Sequence, residues 1–153
     1  MRKFRFKLET VAHHRTVLEQ QAMQLFATIH GELAVSIQRI ELLEAQFREV
    51  LEGRAVFGIE PSDRGIAVEE LLLRERELDG LRLKIEEEGR VREGLEARLE
   101  DARKALVHSR QDRETIERLR EIDREAHRFA IEKYGQDLID ELATMRHGRA
   151  GRL

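Results

Sequence analysis

From position 22 to 50 the chain repeats one pattern. Ala22, Phe26, Ile29, Leu33, Ser36, Ile40, Leu43, Phe47 and Val50 follow one another in alternating steps of four and three residues. An α-helix turns once in ~3.6 residues, so this spacing lays a narrow, mostly apolar stripe along one side of a helix, as in a coiled coil. Upstream, Leu8, Val11, Arg15, Leu18, Ala22 and Leu25 form a stripe one residue out of phase. A three-four-four step through Ala22, Leu25, Ile29 and Leu33 joins the two as a stutter, which locally unwinds a supercoil. The pattern predicts a first helix over about residues 8–52.

A second periodic stretch runs from about residue 66 to 145 without a proline. Its seam is Leu78, Leu81, Ile85, Leu95, Leu99, Ala102, Leu106 and Ile116. Roughly eighty residues at ~1.5 Å each give a helix of about 120 Å. Glu88 and Arg92 take seam positions, and Gly80, Gly89 and Gly94 lie nearby, so a locally loose coil is expected there. After Ile116 the apolar positions become Leu119, Ile122, Ala126, Ala130, Tyr134, Leu138 and Leu142, a band that slants around the helix.

Between the two stretches stand Gly53, Gly58, Pro61, Ser62, Asp63 and Gly65. Pro61 cannot continue a helix from upstream, whereas Ser62 or Asp63 can cap one downstream. The predicted fold is all-α: one domain, a long antiparallel two-helix coiled-coil hairpin with its turn at 53–65. Pairing outward from that turn sets Leu8 opposite residues 105–112 and leaves a C-terminal overhang of roughly thirty residues. Residues 146–153 are expected to be a disordered basic tail. At the other terminus, Phe4 and Phe6 alternate with Arg2, Lys3, Arg5 and Lys7. This predicts a short strand, a binding arm, or a lead-in that staples the first helical turn.

Composition narrows the function. Charged residues make up 39% and aromatics 5%, with no Trp, which suits a long helix and not a deep core. The formal net charge is −3, so no chain-wide basic field calls for nucleic acid. Bases do gather at the ends, in residues 1–7 and at Arg146, Arg149 and Arg152. Only Phe4 and Phe6 accompany them as stacking aromatics, which argues against nucleic acid or anionic lipid as the main partner. There is no cysteine, hence no disulfide or thiolate metal site. No run approaches the ~18 apolar residues of a membrane span, and residues 8–20 are too polar for a signal peptide, so the sequence reads as cytoplasmic.

No catalytic constellation emerges. His13 and His14 are neighbours on a helix and point about 100° apart, and the other histidines show no ligand spacing, so neither metal nor cofactor is expected. The carboxylates alternate with Arg and Lys as solvated flanks do. Residues 53–58 lack the ending of a P-loop. The chain does not read as an enzyme. One apolar surplus stands out: Leu71, Leu72 and Leu73 are consecutive and span about 200° of a helix, so at least one faces away from the partner helix. Either Val56, Phe57 and Ile59 fold back over them, or they form a patch for a partner together with Leu83, which lies off the seam.

Lys3-Phe4-Arg5-Phe6-Lys7-Leu8-Glu9-Thr10-Val11, followed by Arg15, resembles the opening of the FliJ family, the coiled-coil component of the flagellar type III export apparatus. The far end is similar in style, with Arg113, Glu117, Leu119, Asp123-Arg124-Glu125 and then Gln136-Asp137-Leu138-Ile139-Asp140-Glu141-Leu142-Ala143. Tyr134-Gly135 departs from the family's unbroken charged run. The resemblance implies a non-enzymatic stalk, similar to the central stalk of rotary ATPases, that engages the hexameric export ATPase and the cytoplasmic domain of the export gate. It also implies a place at the cytoplasmic side of the membrane and an association with cycling export chaperones. The candidate ATPase-ring contact is Arg5, Phe6, Arg113, Arg120, Arg124 and Arg128, on the basic end and overhang; the candidate gate contact is Leu71, Leu72, Leu73 and Leu83. The alternatives are a generic coiled-coil adapter and the equivalent stalk of a virulence secretion system.

Overall fold

The structure, a computed structural model, describes residues 3–57 and 64–150, with side chains except at 54–57, 64–67 and 148–150. Two α-helices account for it: α1 (Glu9–Phe57) and α2 (Arg64–Ala150), which pack against each other as a helical hairpin. There is no strand among the described residues.

Both helices outrun their expected ends. α1 continues through Gly53, because a glycine costs a helix about 1 kcal/mol without ending it. A Cβ at Gly53 would lie 3.1 Å from the Arg74 guanidinium, so the missing side chain lets Arg74 rest against α1. α2 extends to Ala150, so residues 146–150 are helical where a disordered tail was expected. Arg146 and Arg149 in the last turns suit the negative end of the helix dipole. Of the expected turn of 53–65, residues 53–57 and 64–65 are helical, and 58–63 lie outside the described residues, as do residues 151–153. The folding back of Val56, Phe57 and Ile59 over the leucines likewise lies outside the described side chains.

The packing divides into two compact units, Ala22–Leu106 and Met1–Gln21 with Val107–Leu153. In the first, the nine stripe positions from Ala22 to Val50 are the ones that lose exposure, with Ile29 and Ser36 buried. Leu25 is exposed, so the stutter is absent. On α2, Leu78, Leu81, Leu95 and Ala102 are buried. Ile29, Leu95 and Ala102 form a core against which Phe26, Leu33 and Leu99 pack. Where a loose coil was expected, a polar layer bridges the seam. The Ser36 hydroxyl donates to Glu88 Oε2 at 3.3 Å, and Arg39 Nη1 lies 3.7 Å from Glu88 Oε1.

In the second unit the three-four spacing runs on through polar residues. On α1 the half-buried positions include Ala12, Arg15 and Glu19, while Leu8 and Val11 are exposed. On α2 they include Arg113, Ile116, Arg120 and His127, while Leu119 and Ile122 are exposed, so the slanting band is not the packed face. The register also differs from expectation. Glu9 pairs with Arg120 and Phe4 meets His127, about ten residues further along α2 than 105–112. The same offset is present beside the turn, where Gly53 meets Arg74 and the Arg82 guanidinium lies 5.5 Å from the Phe47 ring centroid, so the count failed in placing the turn's centre at the middle of 53–65. α1 and the arm therefore reach to His127. Past it, Phe129, Tyr134, Leu138, Ile139, Leu142 and Met145 are 47–69% exposed, and α2 runs on to Ala150, about thirty residues beyond the Arg120 that pairs with the first turn of α1, the overhang expected.

Candidate functional site

The candidate ATPase contact lies in the unit of residues 1–21 and 107–153. Its frame is a ladder of ion pairs across the two helices. Arg15 Nη1 donates to Asp112 Oδ2 at 2.7 Å. One turn on, Arg113 donates to Glu19 and, at 2.6 Å, to Glu117 of its own helix. Nearer the N-terminus, Arg120 donates to Glu9 in the first turn of α1. The carboxylates of Glu117 and Glu19 push the Arg113 guanidinium further up from its already high pKa, and Glu9 does the same for Arg120. Both arginines are therefore fixed cations. A half-exposed pair such as Arg15–Asp112 contributes only about 0–1 kcal/mol, so the ladder sets alignment more than stability.

Residues 3–7 precede the helix as a non-helical arm. Neighbouring side chains alternate in an extended chain, so Phe4 and Phe6 turn toward α2 while Lys3, Arg5 and Lys7 stay exposed. Phe6 is 7% exposed, with the Arg120 guanidinium 5.6 Å from its ring centroid. Phe4 meets the His127 ring edge-on at 5.5 Å, and the Arg124 guanidinium lies 6.0 Å from the Phe4 ring centroid. Of the readings open from sequence, the arm is the one observed, and it docks on α2 instead of stapling α1. Burying one Phe contributes about 1.5–3 kcal/mol, whereas ordering each backbone residue costs about 1–2 kcal/mol. Ordering five residues therefore costs about 5–10 kcal/mol, more than one buried ring returns, so the arm is weakly held even with the half-buried Phe4 and the arginine contacts. Phe4, Arg5, Phe6, Lys7, Arg120 and Arg124, with Glu9 and Thr10, line a shallow basic cleft of about 750 Å³.

Of the six residues expected from sequence, the structure gathers Arg5, Phe6, Arg120 and Arg124 around this cleft. Arg113 sits two turns away in the ladder, and Arg128 lies beyond, 4.0 Å from Glu132. Phe6, Arg113 and Arg120 are engaged within the chain, whereas Arg5, Arg124 and Arg128 are exposed. Sequence reading missed Glu9 as the partner of Arg120, Glu19 as that of Arg113, and His127 as the seat of Phe4. The signal was present, as a heptad that continues with charged residues in place of apolar ones.

The candidate gate contact lies in the other unit. Leu71 is half-buried, while Leu72, Leu73 and Leu83 are 56%, 62% and 67% exposed, with Val68 at 55% beside them. Among the described residues, no three His, Asp or Glu side chains are grouped to hold a metal ion, and no helix is long and apolar enough to cross a membrane.

No curated protein and no solved structure matches the chain. A family model does, that of the flagellar FliJ protein, over residues 4–152. That span takes in both helices, the arm's two phenylalanines and the ladder, and the chain belongs to the FliJ family of flagellar export apparatus components.

Proposed function

We propose that this chain is a non-enzymatic stalk of the flagellar export apparatus, which contacts the export ATPase ring through its basic end and the export gate through the leucine patch. The observation that carries the ATPase contact is the cation excess at the arm. Arg5, Lys7, Arg120 and Arg124 line the cleft there with one carboxylate, Glu9, and Arg124 also pairs with Glu121 of its own helix. Such a surface suits an acidic lining, since unlike potentials steer and register two partners. Arg5, Arg124 and Arg128 are its exposed members, while Arg113 and Arg120 hold it in shape. The gate contact rests on Leu72, Leu73 and Leu83, apolar side chains that α1 leaves uncovered. Family membership supports the wider setting, a place at the cytoplasmic side of the membrane and contact with cycling export chaperones.

A pull-down of the purified chain against the export ATPase, the cytoplasmic domain of the gate and export chaperones tests this reading. Arg124→Glu with Arg128→Glu should weaken ATPase binding and stimulation of ATP hydrolysis at unchanged helicity. Unchanged stimulation would move the contact elsewhere.

A further inference from the structure

We propose that residues 3–7 act as a displaceable clasp over the α2 arginines, which a carboxylate-bearing segment of the ATPase opens in order to reach Arg120 and Arg124. The inference rests on the proposed ATPase contact and specifies how that site is regulated.

Three observations converge on it. Arg120 is engaged twice, by the Glu9 carboxylate and by the ring of Phe6, and Arg124 faces Phe4. Rings of the arm thus cover part of each guanidinium and Glu9 of α1 takes an N–H of Arg120, so the arm limits approach to Arg120 most, while Arg124 stays half-exposed beside Glu121. Next, among the described residues the arm makes no backbone hydrogen bond: the one outside the helices joins Ala12 N–H to the Leu8 carbonyl, after the arm has ended. Finally, the arm brings Arg5 and Lys7 into one cleft with Arg120 and Arg124, so like charges oppose docking while the buried Phe6 ring favours it. An acidic segment reverses that balance. It neutralises the arginines and attracts Arg5 and Lys7 once the arm is free. Docking should therefore tighten as salt rises, because screening removes the repulsion and leaves the ring contact.

The experiment measures affinity for the purified export ATPase with three forms of the full chain. Phe4→Ala with Phe6→Ala removes the anchors and keeps every cation; it should bind about tenfold more tightly than the parent, the loss of roughly one buried ring's worth of docking. Arg120→Gln with Arg124→Gln should bind more weakly. In the third form, cysteines at positions 4 and 127 are the only ones in the chain and are joined by a short cleavable cross-linker. The locked form should lose binding and regain it on cleavage, a readout independent of any folding defect in the alanine variant. If the arginine variant binds less tightly while the locked chain binds as well as the parent, the ATPase contact stands and the clasp is overturned. If the arginine variant binds normally, both fall.

Discussion

Arg113 of α2 donates to the Glu19 carboxylate of α1 at positions where the heptad of each helix would otherwise place an apolar residue. The Glu19 side chain is 14% exposed and that of Arg113 23%, which makes this the most enclosed ion pair among those described. A second carboxylate, Glu117, shares the guanidinium. The two partners are therefore unequal. Arg113→Ala leaves Glu19 enclosed without a cation, whereas Glu19→Ala leaves Arg113 with Glu117. Thermal melts followed by circular dichroism should show the larger loss for Arg113→Ala. Replacing both by leucine should raise the melting temperature, since apolar packing commonly outperforms an enclosed pair. Equal losses from the two single changes would mean that the enclosure is not felt.

The ion pairs define a register that distance measurements can check. Glu32 lies opposite Arg98, and Glu9 opposite Arg120. The chain has no cysteine, so pairs introduced at 32 and 98 or at 9 and 120 would carry the only spin labels. Both pairs should report short distances. A pair at 9 and 108, near the register expected from the turn, is offset by about 18 Å along the axis, twelve residues at ~1.5 Å each, and across helices about 8–10 Å apart should be longer by about 10 Å. A short 9–108 distance would restore the register counted from the turn.

The same pairs explain what the sequence revealed and what it hid. From Ala22 to Val50 the apolar stripe is unbroken, and each expected position is packed. Two upstream positions failed for one reason. Val11 and Leu25 belonged to the expected upstream stripe because they are apolar, yet both are exposed, and the packed positions beside them are Ala12 and Phe26, with Arg15 and Glu19 between. Hydrophobicity marks a seam only while burial is what holds it. Where cross-helix carboxylates satisfy the arginines, the spacing persists and the apolar signal does not. Reading spacing alone, 12-15-19-22 on α1 and 113-116-120 on α2, recovers the register. The candidate ATPase residues were legible as cations. Their engagement within the chain was not, because nothing in the local sequence pairs Arg120 with Glu9, 111 positions away.

The glycines of the helix interiors offer a separate test. A Cβ built on Gly80, Gly89 or Gly94 meets nothing within 4 Å, so alanine fits each without displacing a neighbour. Each substitution should stabilise the chain by about 1 kcal/mol, the difference in helix propensity. Gly53→Ala should gain less, because its Cβ would press the Arg74 guanidinium at 3.1 Å and that side chain must yield. Urea titrations of the four variants give the ordering. A gain at Gly53 equal to the others would show that Arg74 moves freely.

The leucine patch separates stability from binding most cleanly. Leu72 and Leu83 are 56% and 67% exposed, so truncating either removes little buried surface from the hairpin itself. Leu72→Ala and Leu83→Ala should therefore leave the melting temperature nearly unchanged, unlike Leu78→Ala, which empties a position only 1% exposed and should cost about 2–5 kcal/mol. If the gate's cytoplasmic domain covers the patch, burial of one leucine is worth roughly 1.5–3 kcal/mol, and either exposed substitution should weaken gate binding tenfold or more. Titration calorimetry against the gate domain, alongside melts of the free chain, reads both quantities. Weaker binding at constant stability gives these leucines to the partner; lower stability with intact binding gives them to the chain's own packing and removes the patch from the proposed contact.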